Sequence, residues 1–283
     1  FPTRRSSDLV VVTANGREGL DYFAGHPGEV DLVILDIDPG DSRRYLTPDG
    51  YRPFETHEEV IKIKGGGEER LGVDWTIWGP VIDSDRRGRR RALRWVAHDP
   101  GASEMSGAEM ETARDLDEAI EIAKQSVIPT VNIVIADSGG RIGWTLTGRL
   151  PDRRGHDGRL PCSWSDGGTG WNGILDRALY PEIIDPPSGL VWSANNRVAG
   201  GAMLARVGDG GYDVGARAGQ IRDDLLALDR ATAADMLAIQ LDDRALFLER
   251  WRELLLECLI PEALAADPRL ETLRRIVEQD WNG

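Results

Sequence analysis

Four histidines, two cysteines and 48 carboxylates are the side chains whose chemistry is most readily read from spacing. His26, His57, His98 and His156 are scattered through loop-like stretches and make neither a metal-ligand pattern nor a Cys-His nucleophile pair. His156 stands in the run GHDGRLP and is expected to tie that loop down. Cys162 and Cys258 lie far apart without zinc-ligand spacing, so neither a disulfide framework nor a zinc site is indicated. Glycoside hydrolysis needs two chosen carboxylates, and nothing in the spacing selects two of the 48. No phosphate-cradling glycine loop and no Gly-x-Ser-x-Gly elbow occurs. Read residue by residue, Asn195-Asn196 is a turn pair, Arg217 a surface cation and Val131 an apolar strand residue.

The elements that would position such groups follow from periodicity. With 283 residues, 41% of them hydrophobic, the chain is long enough for a substantial core, and it has no apolar run near the roughly 20 residues that span a bilayer. No membrane partner is expected. A net charge of −14 repels a phosphate backbone, so nucleic acid is not expected as a partner either, and the basic run RRGRRRALR at 86–94 reads as a solvated hairpin. Strands are expected at 30–37, 58–66 and 70–82, the second alternating with period two before three glycines. A helix is expected over 106–127, with Met110, Ala113, Leu116, Ala119, Ile120 and Ala123 on one stripe. The segment 130–153 reads as a buried hairpin covered on both faces, and the chain beyond 215 as helices, one of them continuous from TAADML to LLECL. Strands followed by helices, without βαβ alternation, give an α+β class. Residues 1–9, FPTRRSSDL, are expected to be a non-native leader, leaving 10–283 as the domain, strand-rich over 24–200 and helix-rich over 215–283.

Several segments read in order carry more information than any one of them. HEEVIKIKGG, TIWGPVI, ALRW, VNIVIADSGGRIGWTLTGRLPDRRGHDGRLP, GWNGILDRALYPEIIDPPSGLVWSANNRV and GARAGQIRDDL are collinear with, and resemble, the β-chain of the penicillin acylase family, from about Ala24 onward. That resemblance implies an N-terminal-nucleophile hydrolase with a four-layer αββα sandwich, here incomplete, made as a precursor that cuts itself to expose a serine. It implies a periplasmic or secreted location, a small-molecule acyl amide as substrate, and the missing α-chain of the same precursor as partner. No serine outside the leader stands at the expected upstream position, so the polypeptide by itself is expected to lack hydrolase activity. A non-catalytic binding or scaffold role is the alternative.

By the same resemblance, Asn195 matches the asparagine whose side-chain amide donates to the oxyanion, Ala24 the residue whose backbone N–H is the second donor, and Arg217 an arginine that orients the asparagine and the nucleophile's amine. Val131 falls where the family lines its acyl pocket. No cofactor is expected for catalysis. The family commonly holds a structural calcium; Asp31 and the Val30 carbonyl fall at two ligand positions, while Gly28 replaces an expected acid and the distal position near Arg206 is not acidic, with Asp209 only a shifted substitute.

Overall fold

A computed structural model describes residues 30–102, 106–208 and 212–279. Contacts divide the chain into two units, Phe1–Asp213 and Val214–Gly283. In the first unit the elements run β1 (Val30–Ile34), β2 (Ile37–Asp38), β3 (Asp41–Thr47), β4 (Gly50–Pro53), β5 (Glu55–Lys62), β6 (Glu68–Thr76), β7 (Gly79–Ser84), β8 (Arg90–Trp95), α1 (Leu116–Gln125), β9 (Val131–Ala136), β10 (Ile142–Thr147), β11 (Pro151–Arg154), β12 (Cys162–Ser163), β13 (Gly170–Ile174), β14 (Glu182–Ile184) and α2 (Gly201–Val207). Six strands form one sheet in the order β12-β1-β8-β7-β6-β5, in which β12 runs parallel to β1 and the other pairs are antiparallel. Smaller sheets are β14-β10-β9, β2-β3-β4 and β11-β13. Helices and sheets together make the unit α+β, as the succession of elements implied.

Two apolar clusters hold this unit. Val33, Leu35, Tyr45, Phe54, Ala92 and Trp164 form the first, with Trp171 packed on it. Trp144, Leu146, Leu150, Tyr180 and Val207 form the second. Tyr180 is buried with its hydroxyl fully used: it donates to the Gly148 carbonyl at 2.8 Å and accepts from the Leu150 N–H at 3.0 Å. The tie fixes the chain where β10 leads into β11.

Local chemistry breaks up elements that periodicity alone makes continuous. The strand expected at 70–82 is two, because Thr76 Oγ1 donates to the Gly79 carbonyl at 2.8 Å and accepts from the Trp78 and Gly79 N–H groups, closing a tight turn. Gly79 has φ +140, and a Cβ there would lie 2.1 Å from the Leu93 carbonyl oxygen, so no other residue fits. The helix expected over 106–127 is a 3-10 segment, Ser106–Thr112, followed by α1, which starts where the Asp115 carboxylate accepts the Glu118 N–H at 2.9 Å. Leu116, Ala119, Ile120 and Ala123 keep their buried stripe; Met110 and Ala113 fall before the helix. The hairpin at 130–153 exists as β9 and β10, but only β10 is buried. Val131 and Val134 on β9 are 44% and 50% exposed, so two-sided cover is an overestimate for this edge strand.

The basic run is a hairpin whose charges are largely matched. Arg89 pairs with Asp85, Arg90 with Asp74, Arg91 with Asp83 and Arg94 with Asp99, while Arg86 and Arg87 are exposed. Asp74 ties four strands together, accepting from Arg43 of β3 at 2.9 Å, Thr56 of β5 at 2.8 Å and Arg90 of β8 at 2.6 Å. Burial works to raise its carboxyl, but the bonds from Arg43, Arg90 and Thr56 outweigh that and hold it down to about 2, against an ordinary 3.8. The unfolded chain therefore takes up a proton at this site at higher pH than the folded one. Its contribution is complete above pH 4 and is lost as pH falls toward 2. Urea titrations across that window are expected to show a stability decline that Asp74→Asn makes shallower.

The second unit holds α3 (Ala216–Leu226), α4 (Ala233–Gln240), α5 (Glu249–Cys258), α6 (Pro261–Ala266) and α7 (Arg269–Gln279). The continuous helix expected from TAADML to LLECL is α4, a 3-10 turn at Leu246–Leu248 and α5. Asp242 is the reason. Its carboxylate accepts the Arg244 N–H at 3.2 Å, the Arg244 guanidinium at 2.7 Å and Gln220 Nε2 at 2.5 Å, a local set of bonds that competes with helical hydrogen bonding.

Candidate functional site

Asn195 lies in a short bend whose two stems are anchored in the second core cluster. Val191 on one side, and Val198 and Ala199 on the other, pack against the buried group that includes Trp144 and Tyr180. Between these stems the chain bends over residues 194–196. The Asn196 Oδ1 accepts the Ala194 N–H at 2.9 Å, and its Nδ2 donates to the Arg197 carbonyl at 3.1 Å. The Asp213 N–H donates to the Asn195 carbonyl at 3.0 Å. Asn195 itself is exposed and has φ +58, one of two non-glycine residues with positive φ among those described, the other being Asp185. Asparagine is among the few L-residues that enter this left-handed region at small cost. An exposed primary amide on a backbone fixed by both stems can present a neutral donor to a developing negative charge without titrating near neutral pH.

The other candidates occupy separate elements. Ala24 lies outside the described residues. Val131 opens β9 opposite Thr147 and is an accessible aliphatic side chain, not a core residue. Arg217 is an exposed residue near the start of α3 in the second unit. His156 does tie its loop: Nδ1 accepts the Gly158 N–H at 3.2 Å and the ring lies 5.3 Å from that of Trp164.

Val30 and Asp31 are in β1, and the surroundings of Asp31 do not suit calcium. The Asp31 carboxylate is 4% exposed, and its Oδ2 accepts from Arg153 Nε at 2.9 Å and from Trp171 Nε1 at 2.6 Å. Arg153 Nη1 continues to the Val207 carbonyl at 3.0 Å. The other oxygen, Oδ1, lies 3.7 Å from His156 Nδ1, a nitrogen already accepting from Gly158. Calcium seeks six to eight oxygens at about 2.3–2.6 Å, and a buried guanidinium in contact with the carboxylate repels it. Among the described residues no group of three or more His, Cys, Asp or Glu could hold a metal ion. Gly28 and Asp209 lie outside the described residues. In this structure Asp31 is held in a buried ion pair with Arg153.

Sequence reasoning gives no site role to two residues of consequence: Arg153, inside PDRRGHDGRLP, and Asn196, which reads only as half of a turn pair. A loop expected to be tied down by His156 pointed to the first, since a tied loop needs a buried partner. Nothing local distinguished the two asparagines.

Comparison with known proteins identifies the family. A family model described as penicillin amidase matches residues 26–283. An acyl-homoserine lactone acylase, QuiP, of Pseudomonas putida is 35% identical over 191 residues, 67% of this chain and 23% of that protein. Penicillin G acylase of Escherichia coli is 30% identical over 188 residues, 64% of this chain and 22% of that protein. The chain thus spans less than a quarter of the length of either relative. Among solved structures, a thermostable penicillin G acylase from Alcaligenes faecalis shares the fold, with a TM-score of 0.62 and 21% identity over 89% of this chain and 46% of that one. The left-handed asparagine bend and the β10 core beneath it belong to a chain that is a member of the penicillin amidase family.

Proposed function

We propose that this chain supplies the transition-state-stabilising part of an N-terminal-nucleophile amide hydrolase. The substrate is a small acyl amide, of the penicillin or acyl-homoserine lactone kind named in its relatives. A serine at the start of a processed chain attacks the amide carbonyl, its own α-amino group taking the proton; an acyl-enzyme forms, the amine leaves, and water releases the acid. The carbonyl oxygen becomes an oxyanion in both halves of the reaction. Asn195 donates its side-chain amide to that oxygen, with the Ala24 N–H as second donor. Arg217 orients the asparagine and the nucleophile's amine, and Val131 contributes to the acyl pocket. In this reading the serine opens the β-chain to which these residues belong, the four-layer αββα sandwich is completed by an α-chain cut from the same precursor, and the enzyme acts in the periplasm or outside the cell.

The observation that supports this most is the exposed Asn195 held left-handed between two anchored stems. Asparagine adopts this conformation at small cost, so the anchored bend can hold an exposed amide in one place. An accessible Val131 on an edge strand also suits a pocket wall better than a core.

Expressing the complete gene and following the product by mass spectrometry tests the reading, together with hydrolysis of a phenylacetyl anilide and an N-acyl homoserine lactone. Cleavage immediately before a serine, with release of acid from either substrate, is expected. A folded product that neither cuts itself nor hydrolyses any acyl amide favours a scaffold without chemistry.

A further inference from the structure

We infer that Asn196 is a positioning residue for the oxyanion donor, acting through Asn195; this rests on the reading of Asn195 given above. The Asn196 side chain spans the bend, with Oδ1 on the Ala194 N–H at 2.9 Å and Nδ2 on the Arg197 carbonyl at 3.1 Å. These two bonds fasten the residue before Asn195 to the residue after Asn196. They brace the bend across the one position that has φ +58. Hydrophobic stems alone leave the crest of the bend free to relax toward an ordinary right-handed backbone, which would swing the Asn195 amide away from its working place.

The chemistry explains why the second residue is an amide too. Bridging an N–H and a carbonyl from one side chain requires an acceptor and a donor on the same group, which a primary amide provides side by side, and the short Asn suits bonds to residues one and two positions away. An oxyanion donor is useful only within about 2.7–3.1 Å of where the charge forms, so a small rotation of the bend is costly.

The test is a double-mutant cycle in the protein expressed from its complete gene, measuring kcat and KM separately on a phenylacetyl anilide, with melting temperature as a control. Asn196→Ala is expected to lower kcat about 10- to 100-fold, the range that a misplacement near 1 Å produces, with KM within about twofold. Asn196→Asp, which keeps the acceptor for the Ala194 N–H but has no donor for the Arg197 carbonyl, is expected to recover only part of that loss. Where Asn196→Ala does not accumulate as folded protein, Asn196→Ser, a good turn former that is too short to bridge both groups, takes its place in the cycle. Once Asn195 is Gly, Asn196→Ala is expected to cost nothing further in kcat, because the group it positions is gone. Multiplicative losses, an unchanged kcat in the single variant, or a loss that tracks melting temperature overturns the inference while leaving the oxyanion reading intact. An Asn195→Gly enzyme with full kcat overturns the oxyanion reading itself.

Discussion

Arg153→Met is expected to destabilise the first unit by about 3–5 kcal/mol, the range found when one member of a buried ion pair is removed. The side chains of Arg153 and Asp31 are 6% and 4% exposed, so the carboxylate left behind has little water to turn to. Trp171 Nε1 still donates to it, but one neutral donor does not offset a lost guanidinium, and the Val207 carbonyl loses its partner as well. For a unit of this size the change corresponds to a melting temperature lower by about 6–20 °C. Adding Asp31→Asn to Arg153→Met removes the stranded charge while keeping an acceptor for Trp171, and is expected to restore a large part of the loss. If the ion pair stands where a metal otherwise would, neither a chelator nor added calcium shifts the melting temperature of the unaltered protein. A clear stabilisation by calcium would mean that the Asp31 carboxylate exchanges partners, and that the guanidinium is displaced on binding.

Asn195→Gly is expected to reduce kcat of the complete enzyme by about 10²–10³, equivalent to some 3–4 kcal/mol of transition-state stabilisation, with little change in KM. Glycine is the informative choice. Asn195 has φ +58, which glycine adopts freely, whereas alanine there adds about 1–2 kcal/mol of backbone strain. Asn195→Ala therefore combines loss of the donor with distortion of the bend, and Asn195→Gly isolates the donor. Asn195→Asp matches asparagine in shape and in tolerance of the left-handed region, but it puts an acceptor-only carboxylate where negative charge develops. Its activity is expected to fall below that of the glycine variant. An aspartate variant as active as wild type would remove Asn195 from the oxyanion role, because a carboxylate cannot donate in its ionised form. Circular dichroism and melting curves for all three variants separate chemistry from folding.

Much of this molecule is written in contiguous stretches of sequence. The α+β class follows from period-two and 3.6-residue patterns, and the series running from HEEVIKIKGG through SGLVWSANN to GARAGQIRDDL is enough to point to the family, since each segment is short, local and in order. The identity of Asn195, Arg217 and Val131 as candidates came the same way. Where strands and helices stop was less visible, because the deciding bonds are made by single side chains: Thr76 in the turn before β7, Asp115 at the start of α1, Asp242 between α4 and α5. A periodic pattern does not register a hydroxyl or carboxylate that captures a backbone N–H.

Tertiary structure alone decided the partners of Asp31. As a strand residue in VDLVILDI it reads equally well as a cation ligand or an acid at a sheet edge. Its actual partners, Arg153 and Trp171, come from 122 and 140 residues further along the chain. The left-handed backbone at Asn195 was likewise invisible, since an Asn-Asn pair has no intrinsic preference strong enough to impose it. It depends on stems anchored by Trp144 and Tyr180 and on an N–H delivered from Asp213. Local patterns record what a segment prefers on its own, whereas charge pairing and a strained backbone depend on which distant groups the completed fold brings within bonding distance.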